Sequence, residues 1–168
     1  PAWSPDGRSL AFVRDDSRTL AVILRDMTSG RETEVDKGMA MDPVFTPDGT
    51  AIIYTNLTAG GDLDLYRYDI ASAARTRLTT DGGIELRPQV APDGKRLVYT
   101  AKTRGGDVVR QRTLGDGKES VLLSGNIVSQ ARPALSPDGT LLAYNWPSTD
   151  GWELRLLSTE RPGVSILL

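Results

Sequence analysis

Apolar residues along this chain come in short runs, not at helical spacing. Leu10-Ala11-Phe12-Val13, Ile52-Ile53-Tyr54, Leu97-Val98-Tyr99 and Leu142-Ala143-Tyr144 are apolar on successive positions. Such runs predict strands covered on both faces. Elsewhere the pattern alternates, as in Leu63–Asp69, where Leu63 and Leu65 flank Asp64, and Trp152–Leu157 reads as a strand of the same rank. Shorter outer strands are expected at Arg75–Thr79 and Val121–Leu123. No stretch of about ten residues or more shows capped helical periodicity, so the fold class is all-β.

The runs repeat because the chain repeats. Pro1-Ala2-Trp3-Ser4-Pro5-Asp6-Gly7 returns as Pro43-Val44-Phe45-Thr46-Pro47-Asp48-Gly49, as Pro88-Gln89-Val90-Ala91-Pro92-Asp93-Gly94 and as Pro133-Ala134-Leu135-Ser136-Pro137-Asp138-Gly139. The turn aspartates are spaced 42, 45 and 45 residues apart, and an aromatic follows each by six: Phe12, Tyr54, Tyr99, Tyr144. A period in the forties suits a four-stranded propeller blade. In each turn, proline sets φ at the second position, aspartate bonds nearby backbone, and glycine takes the left-handed conformation that closes a hairpin. Asp6, Gly7, Asp48, Gly49, Asp93, Gly94, Asp138 and Gly139 are therefore read as structural turn residues on one rim. The expected domain is a single propeller unit over 1–168, with blades at about 1–42, 43–87, 88–132 and 133–168.

The pattern Pro-x-Φ-Ser-Pro-Asp-Gly-x-x-Φ-Ala-Φ (Φ apolar) resembles the WD40-like repeat of the TolB-type β-propeller family. Trp3-Ser4-Pro5-Asp6-Gly7 with Leu10-Ala11-Phe12, and Leu135-Ser136-Pro137-Asp138-Gly139 with Leu142-Ala143-Tyr144, match it best; Thr46 and Ala91 replace the serine in the middle copies. The resemblance covers nearly the whole chain. It implies blades of four antiparallel strands and a non-catalytic scaffold that binds a protein or peptide, with an extracytoplasmic or periplasmic setting. Similar repeats serve as gating propellers of prolyl-oligopeptidase-like and tricorn-like peptidases. The chain starts at the proline of the first repeat, without counterparts of Leu86-Arg87 or Ala131-Arg132. Four blades are few for this family. The expectation is thus a fragment of a larger ring, or half of a homo-oligomeric eight-bladed ring, with a closed four-bladed ring as a further arrangement.

Composition narrows the chemistry. The 168 residues contain neither cysteine nor histidine, which excludes disulfides, thiol nucleophiles, Cys/His zinc sites and any histidine-activated serine within this chain. A net charge of −2 with both signs dispersed offers no basic patch for nucleic acid. The longest apolar run, Leu20 to Leu24, is too short to enter a membrane as a helix. No catalytic residue, cofactor or metal site is expected. Asp62, Asp64 and Asp107 lie beside glycine pairs but lack the full calcium-loop pattern, and are read as solvated hairpin acids. Asn56-Leu57-Thr58 fits a glycosylation acceptor but is a chance-level match. Trp3 aligns with Phe45, Val90 and Leu135 and is expected in the core, whereas Trp146 and Trp152 have no aromatic counterparts and are the candidates for a partner-binding surface.

Overall fold

The computed structural model describes residues 1–125, 133–163 and 165–168, and its regular structure is entirely β. The first antiparallel sheet holds β1 (Ala2–Trp3), β2 (Ser9–Asp15), β3 (Leu20–Asp26) and β4 (Glu32–Gly38). The second holds β5 (Met41–Phe45), β6 (Ala51–Leu57), β7 (Leu63–Asp69) and β8 (Arg75–Arg77). The third holds β9 (Ile84–Val90), β10 (Arg96–Thr103), β11 (Gly106–Thr113) and β12 (Glu119–Gly125). The fourth holds β13 (Ala134–Leu135), β14 (Leu141–Ser148), β15 (Gly151–Ser158) and β16 (Ser165–Leu167). A parallel pairing of Leu63 with Ile84 joins the second and third into one eight-stranded sheet. Leu20 and Met39 make the matching bridge between the first and second. Ala131-Arg132 lie outside the described residues.

The turns show why each meander starts where it does. Gly7 N donates to Ser4 O at 2.9 Å, Gly49 N to Thr46 O at 2.9 Å, Gly94 N to Ala91 O at 2.9 Å and Gly139 N to Ser136 O at 2.8 Å. All four glycines have φ near +70°, where a Cβ would strain the backbone. Successive turns stack: an ideal Cβ on Gly49 would lie 3.5 Å from Pro5, and one on Gly139 3.0 Å from Pro92.

Three apolar clusters hold the sheets face to face. Ala11, Val22 and Val35 of the first meet Ile52, Tyr54 and Tyr68 of the second. Ile53 and Leu65 of the second meet Leu97 and Tyr99 of the third. Val98, Val109 and Leu122 of the third meet Leu142, Tyr144 and Leu157 of the fourth. In every joint the same register positions recur, so each sheet has one face for its predecessor and one for its successor.

That polarity corrects two expectations. β6 and β10 are buried on successive residues as the runs suggested, but β14 alternates, with Leu142 and Tyr144 buried, and β2 buries only Ala11 between half-buried neighbours. Outer sheets have a neighbour on one side only. Trp3 is 59% exposed and not in the core. Phe45, Val90 and Leu135 pack against the preceding sheet, and no described sheet precedes Trp3.

Candidate functional site

The four turn aspartates are each satisfied within their own turn. Asp6 Oδ1 accepts from Ser4 Oγ at 2.7 Å and Arg8 N at 3.0 Å. Asp48 Oδ1 accepts from Thr46 Oγ1 at 2.6 Å, Thr50 N at 3.1 Å and Thr50 Oγ1 at 2.9 Å. Asp138 Oδ1 accepts from Ser136 Oγ at 2.6 Å and Thr140 N at 3.0 Å, which holds its carboxyl down to about 2. Asp93 has Ala91 in place of the hydroxyl donor. There desolvation raises the carboxyl, but the Lys95 amide at 2.8 Å and Arg96 Nε at 2.7 Å outweigh it and leave the pKa lowered. Asp6 and Asp48 line one groove, and Asp48 and Asp93 another, yet every carboxylate is directed inward to its own loop.

The loop acids behave differently from solvated hairpin residues. Asp64 sits inside β7 with a fully buried side chain, ion-paired to Arg77 of β8. Asp62 accepts from Gly83 N at 3.1 Å, across the seam to the third sheet. Asp107 lies at the start of β11 and is half-buried. Among the described residues no group of three or more acids could hold a metal ion. Asn56 is buried and its amide is spent in the first seam, accepting from Met39 N at 3.0 Å and donating to Lys37 O at 3.2 Å, so it presents no sugar acceptor.

The two tryptophans separate. Trp146 packs edge-on against Tyr144 at 6.1 Å, with the Arg155 guanidinium 4.9 Å over its ring. Trp152 pairs with Pro147 across the β14–β15 hairpin and is 57% exposed. Its register position matches Leu20 and Leu63, the residues through which the first and second sheets bridge to their successors.

A further constellation lies on the innermost strands. Asp42 and Arg87, 45 residues apart and each preceding a proline, hold φ of 52° and 56° at breaks in the β5–β6 and β9–β10 registers. Proline disfavours the right-handed helical conformation in the residue before it, and a non-glycine residue at positive φ costs on the order of 1–3 kcal/mol unless its surroundings enforce it. The enforcement is visible: Arg87 N donates to Asp42 Oδ2 at 3.1 Å, which ties the second inner strand to the third. Gln89 ties the third to the fourth, since its Nε2 donates to Pro133 O and its Oε1 accepts from Leu135 N at 2.9 Å. These residues, with Val13, Val44 and the prolines, line a groove of about 360 Å³. The groove thus has an apolar floor of valine and proline, and the polar groups on it, Asp42 Oδ2 and the Gln89 amide, serve first to tie neighbouring inner strands together. Sequence reading missed Asp42, Arg87 and Gln89. The signal was present in the matched Asp42-Pro43 and Arg87-Pro88 dipeptides, whose shared pre-proline position had no reason to be polar in a buried strand.

Over residues 1–165 the chain matches the family model described as the TolB beta propeller domain. The Tol-Pal system protein TolB of Ruthia magnifica subsp. Calyptogena magnifica is 33% identical over 84 residues, 48% of this chain and 20% of that protein. The uncharacterized peptidase YuxL of Bacillus subtilis is 38% identical over 69 residues, 38% of this chain and 10% of that protein. The crystal structure of TolB from Acinetobacter baumannii superposes with a TM-score of 0.84 at 26% identity, covering 95% of this chain and 40% of that one. The chain thus spans less than half the length of each of these proteins. With the repeat, the meander of sheets and a family match along nearly its full length, the chain belongs to the TolB β-propeller domain family.

Proposed function

We propose that this chain is a non-catalytic propeller scaffold that binds a protein or peptide partner, each repeat acting as one blade (about 1–42, 43–87, 88–132 and 133–168). The observation that carries the reading is the inner-strand groove. Backbone strain at Asp42 and Arg87 is retained at equivalent places, and strain retained in register points to a surface that has to be presented in one shape. The TolB likeness supports a protein as the occupant and an extracytoplasmic setting. The Ser4-, Thr46- and Ser136-type hydroxyls are bound into their turns, and the sequence has no histidine to activate one. The test is selection of peptides from a random library on the purified chain, repeated on Asp42→Ala and Gln89→Ala. Binders that depend on these residues support the reading. Binders indifferent to both, or peptide hydrolysis by the chain itself, overturn it.

A second reading takes the chain as the propeller of a larger peptidase, and the match to YuxL favours it. It requires a hydrolase segment with a Gly-x-Ser-x-Gly elbow in the same reading frame. A third follows from the exposed Trp3 and Trp152, which mark apolar faces at opposite ends of the row of sheets. These faces call for further blades, from a longer chain forming a larger ring or from a second copy completing an eight-bladed one. On this reading Trp152 serves ring closure or a partner, and Trp146 serves packing.

A further inference from the structure

Three residues before the inner-strand proline the later copies carry Ala40, Glu85 and Gln130, and Glu85 is the one acid among them. Aligned on the inner-strand proline, Gly38-Met39-Ala40 corresponds to Gly83-Ile84-Glu85. Both glycines have positive φ, at 128° and 151°, and Met39 and Ile84 both form the parallel bridge to the preceding sheet. Ala40 is fully buried, and Glu85 is only 2% exposed in the equivalent place. One seam closes over a methyl group; the next encloses a carboxyl.

That carboxyl is held in position. Thr79 Oγ1 donates to Glu85 Oε2 and itself accepts from Leu65 N at 3.0 Å, while Thr55 Oγ1 grips the Glu85 carbonyl at 3.1 Å. Oε1 accepts no hydrogen bond among the described residues, and Glu85 lines a cleft of about 720 Å³ with Asp62, Asp81, Lys102 and Arg110. The arginines of the seam are engaged elsewhere: Arg110 with Asp81 at 2.5 Å and Glu119 at 3.1 Å, Arg77 with Asp64. A buried carboxyl without a cation is costly, and burial, reinforced by Asp64, Asp81 and Glu119, pushes Glu85 up to about 7. Gly83 leaves bare backbone on the cleft wall, because a Cβ there would meet Lys102 O at 2.6 Å.

We propose that this cleft is a docking pocket for one cationic side chain, arginine or lysine, of a protein partner, with Glu85 as its buried anchor, Asp62 at one flank and Asp81, already paired with Arg110, adding its charge at the other. The proposal rests on the scaffold reading and names the partner's chemistry. A flat, forked guanidinium matches a carboxylate oxygen at the base with further acids beside it. Lys102 lines the mouth, and Arg104 shares it, so the pocket selects a basic residue flanked by acidic ones and disfavours a polybasic stretch.

The test uses the intact chain and two probes, the capped peptides acetyl-Asp-Arg-Asp-amide and acetyl-Asp-Gln-Asp-amide. Amide resonances of Gly82, Gly83 and Gly105 are followed by nuclear magnetic resonance. The arginine peptide is expected to give saturable shifts confined to these loops, tightening from about pH 6 to about pH 8 as Glu85 gives up its proton. The glutamine peptide is expected to give none. Glu85→Gln, which keeps the shape and the Thr79 contact, is expected to weaken binding about thirtyfold. Asp81→Asn, a change near the surface, covers the case in which Glu85→Gln does not fold, and is expected to weaken binding by a smaller factor. Equal shifts from both peptides, or wild-type affinity in the variants, overturn the proposal. Silence here with intact groove-dependent peptide binding overturns this pocket alone; loss of groove dependence with intact arginine binding overturns the scaffold reading alone.

Discussion

A carboxyl group that titrates near 7 inside a joint between sheets makes folding depend on pH. Glu85 has an ordinary value of 4.5 when unfolded and about 7 when folded. Below 4.5 both states hold the proton and the group is neutral to stability. Between 4.5 and 7 the unfolded chain releases a proton that the folded chain keeps, so stability falls as pH rises, and above 7 the full penalty stands. Glu85→Gln is expected to remove this slope and to raise stability at pH 8, by on the order of 2 kcal/mol, with little change at pH 4.5. Urea midpoints at the two pH values check it. The exposed Asp138, held at about 2, acts with the opposite sign, its contribution present above 3.8 and lost as pH falls toward 2. The aromatic position shows the same dependence on partners. Tyr54 OH donates to Asp36 and Tyr99 OH to Glu119, both at 2.8 Å, whereas the buried Tyr144 OH has no partner among the described residues. Tyr99→Phe is therefore expected to cost about 1 kcal/mol, and Tyr144→Phe to be neutral or stabilising, in the same denaturation assay.

At the scale of the element, the turns were legible because their chemistry is local. Proline, aspartate and glycine at fixed offsets specify a hairpin without reference to the rest of the chain, and Gly7, Gly49, Gly94 and Gly139 adopt one φ value within a few degrees. The third turn lacks the hydroxyl that Ser4, Thr46 and Ser136 supply. Ala91→Ser is expected to restore the bond to Asp93 and to stabilise the chain by roughly 0.5–1 kcal/mol, read as a shift in melting temperature. What depends on a neighbouring sheet was hidden. Asp64 looked like a loop acid because its spacing from Gly60-Gly61 was visible, while Arg77, which neutralises it, comes from another strand. Trp3 looked like a core residue because its repeat partners are, but core membership belongs to the joint and not to the strand. Asp42, Arg87 and Gln89 acquire meaning only where inner strands from different repeats converge. Glu85 was hidden for the same reason, because its burial is set by Thr55, Leu65 and Thr79 of the preceding repeat and not by its own strand.

At the scale of the whole molecule, the end faces dominate. Trp152, Leu154, Ile166 and Leu168 of the fourth sheet are 57%, 47%, 60% and 69% exposed, and Trp3 opens the opposite end. Covering a large apolar side chain is worth on the order of 2 kcal/mol, so covering these faces, by further blades or by a second copy, would be favourable. The isolated chain is expected to gain mass with concentration in light scattering, with tryptophan emission shifting to shorter wavelength as Trp3 and Trp152 are covered. Leu154→Glu is expected to suppress both changes. A fixed mass across concentration, with unchanged emission, counts against it.

The like-for-like register of the three joints has a geometric consequence. Because each sheet offers a different face to what comes before and what comes after, the row is a vector, and whatever continues it in the same register has to follow nose to tail. A row built on such a vector closes only where accumulated rotation returns the last face to the first, so the angle at each joint, summed around the circuit, sets how many sheets a closed ring of this register holds.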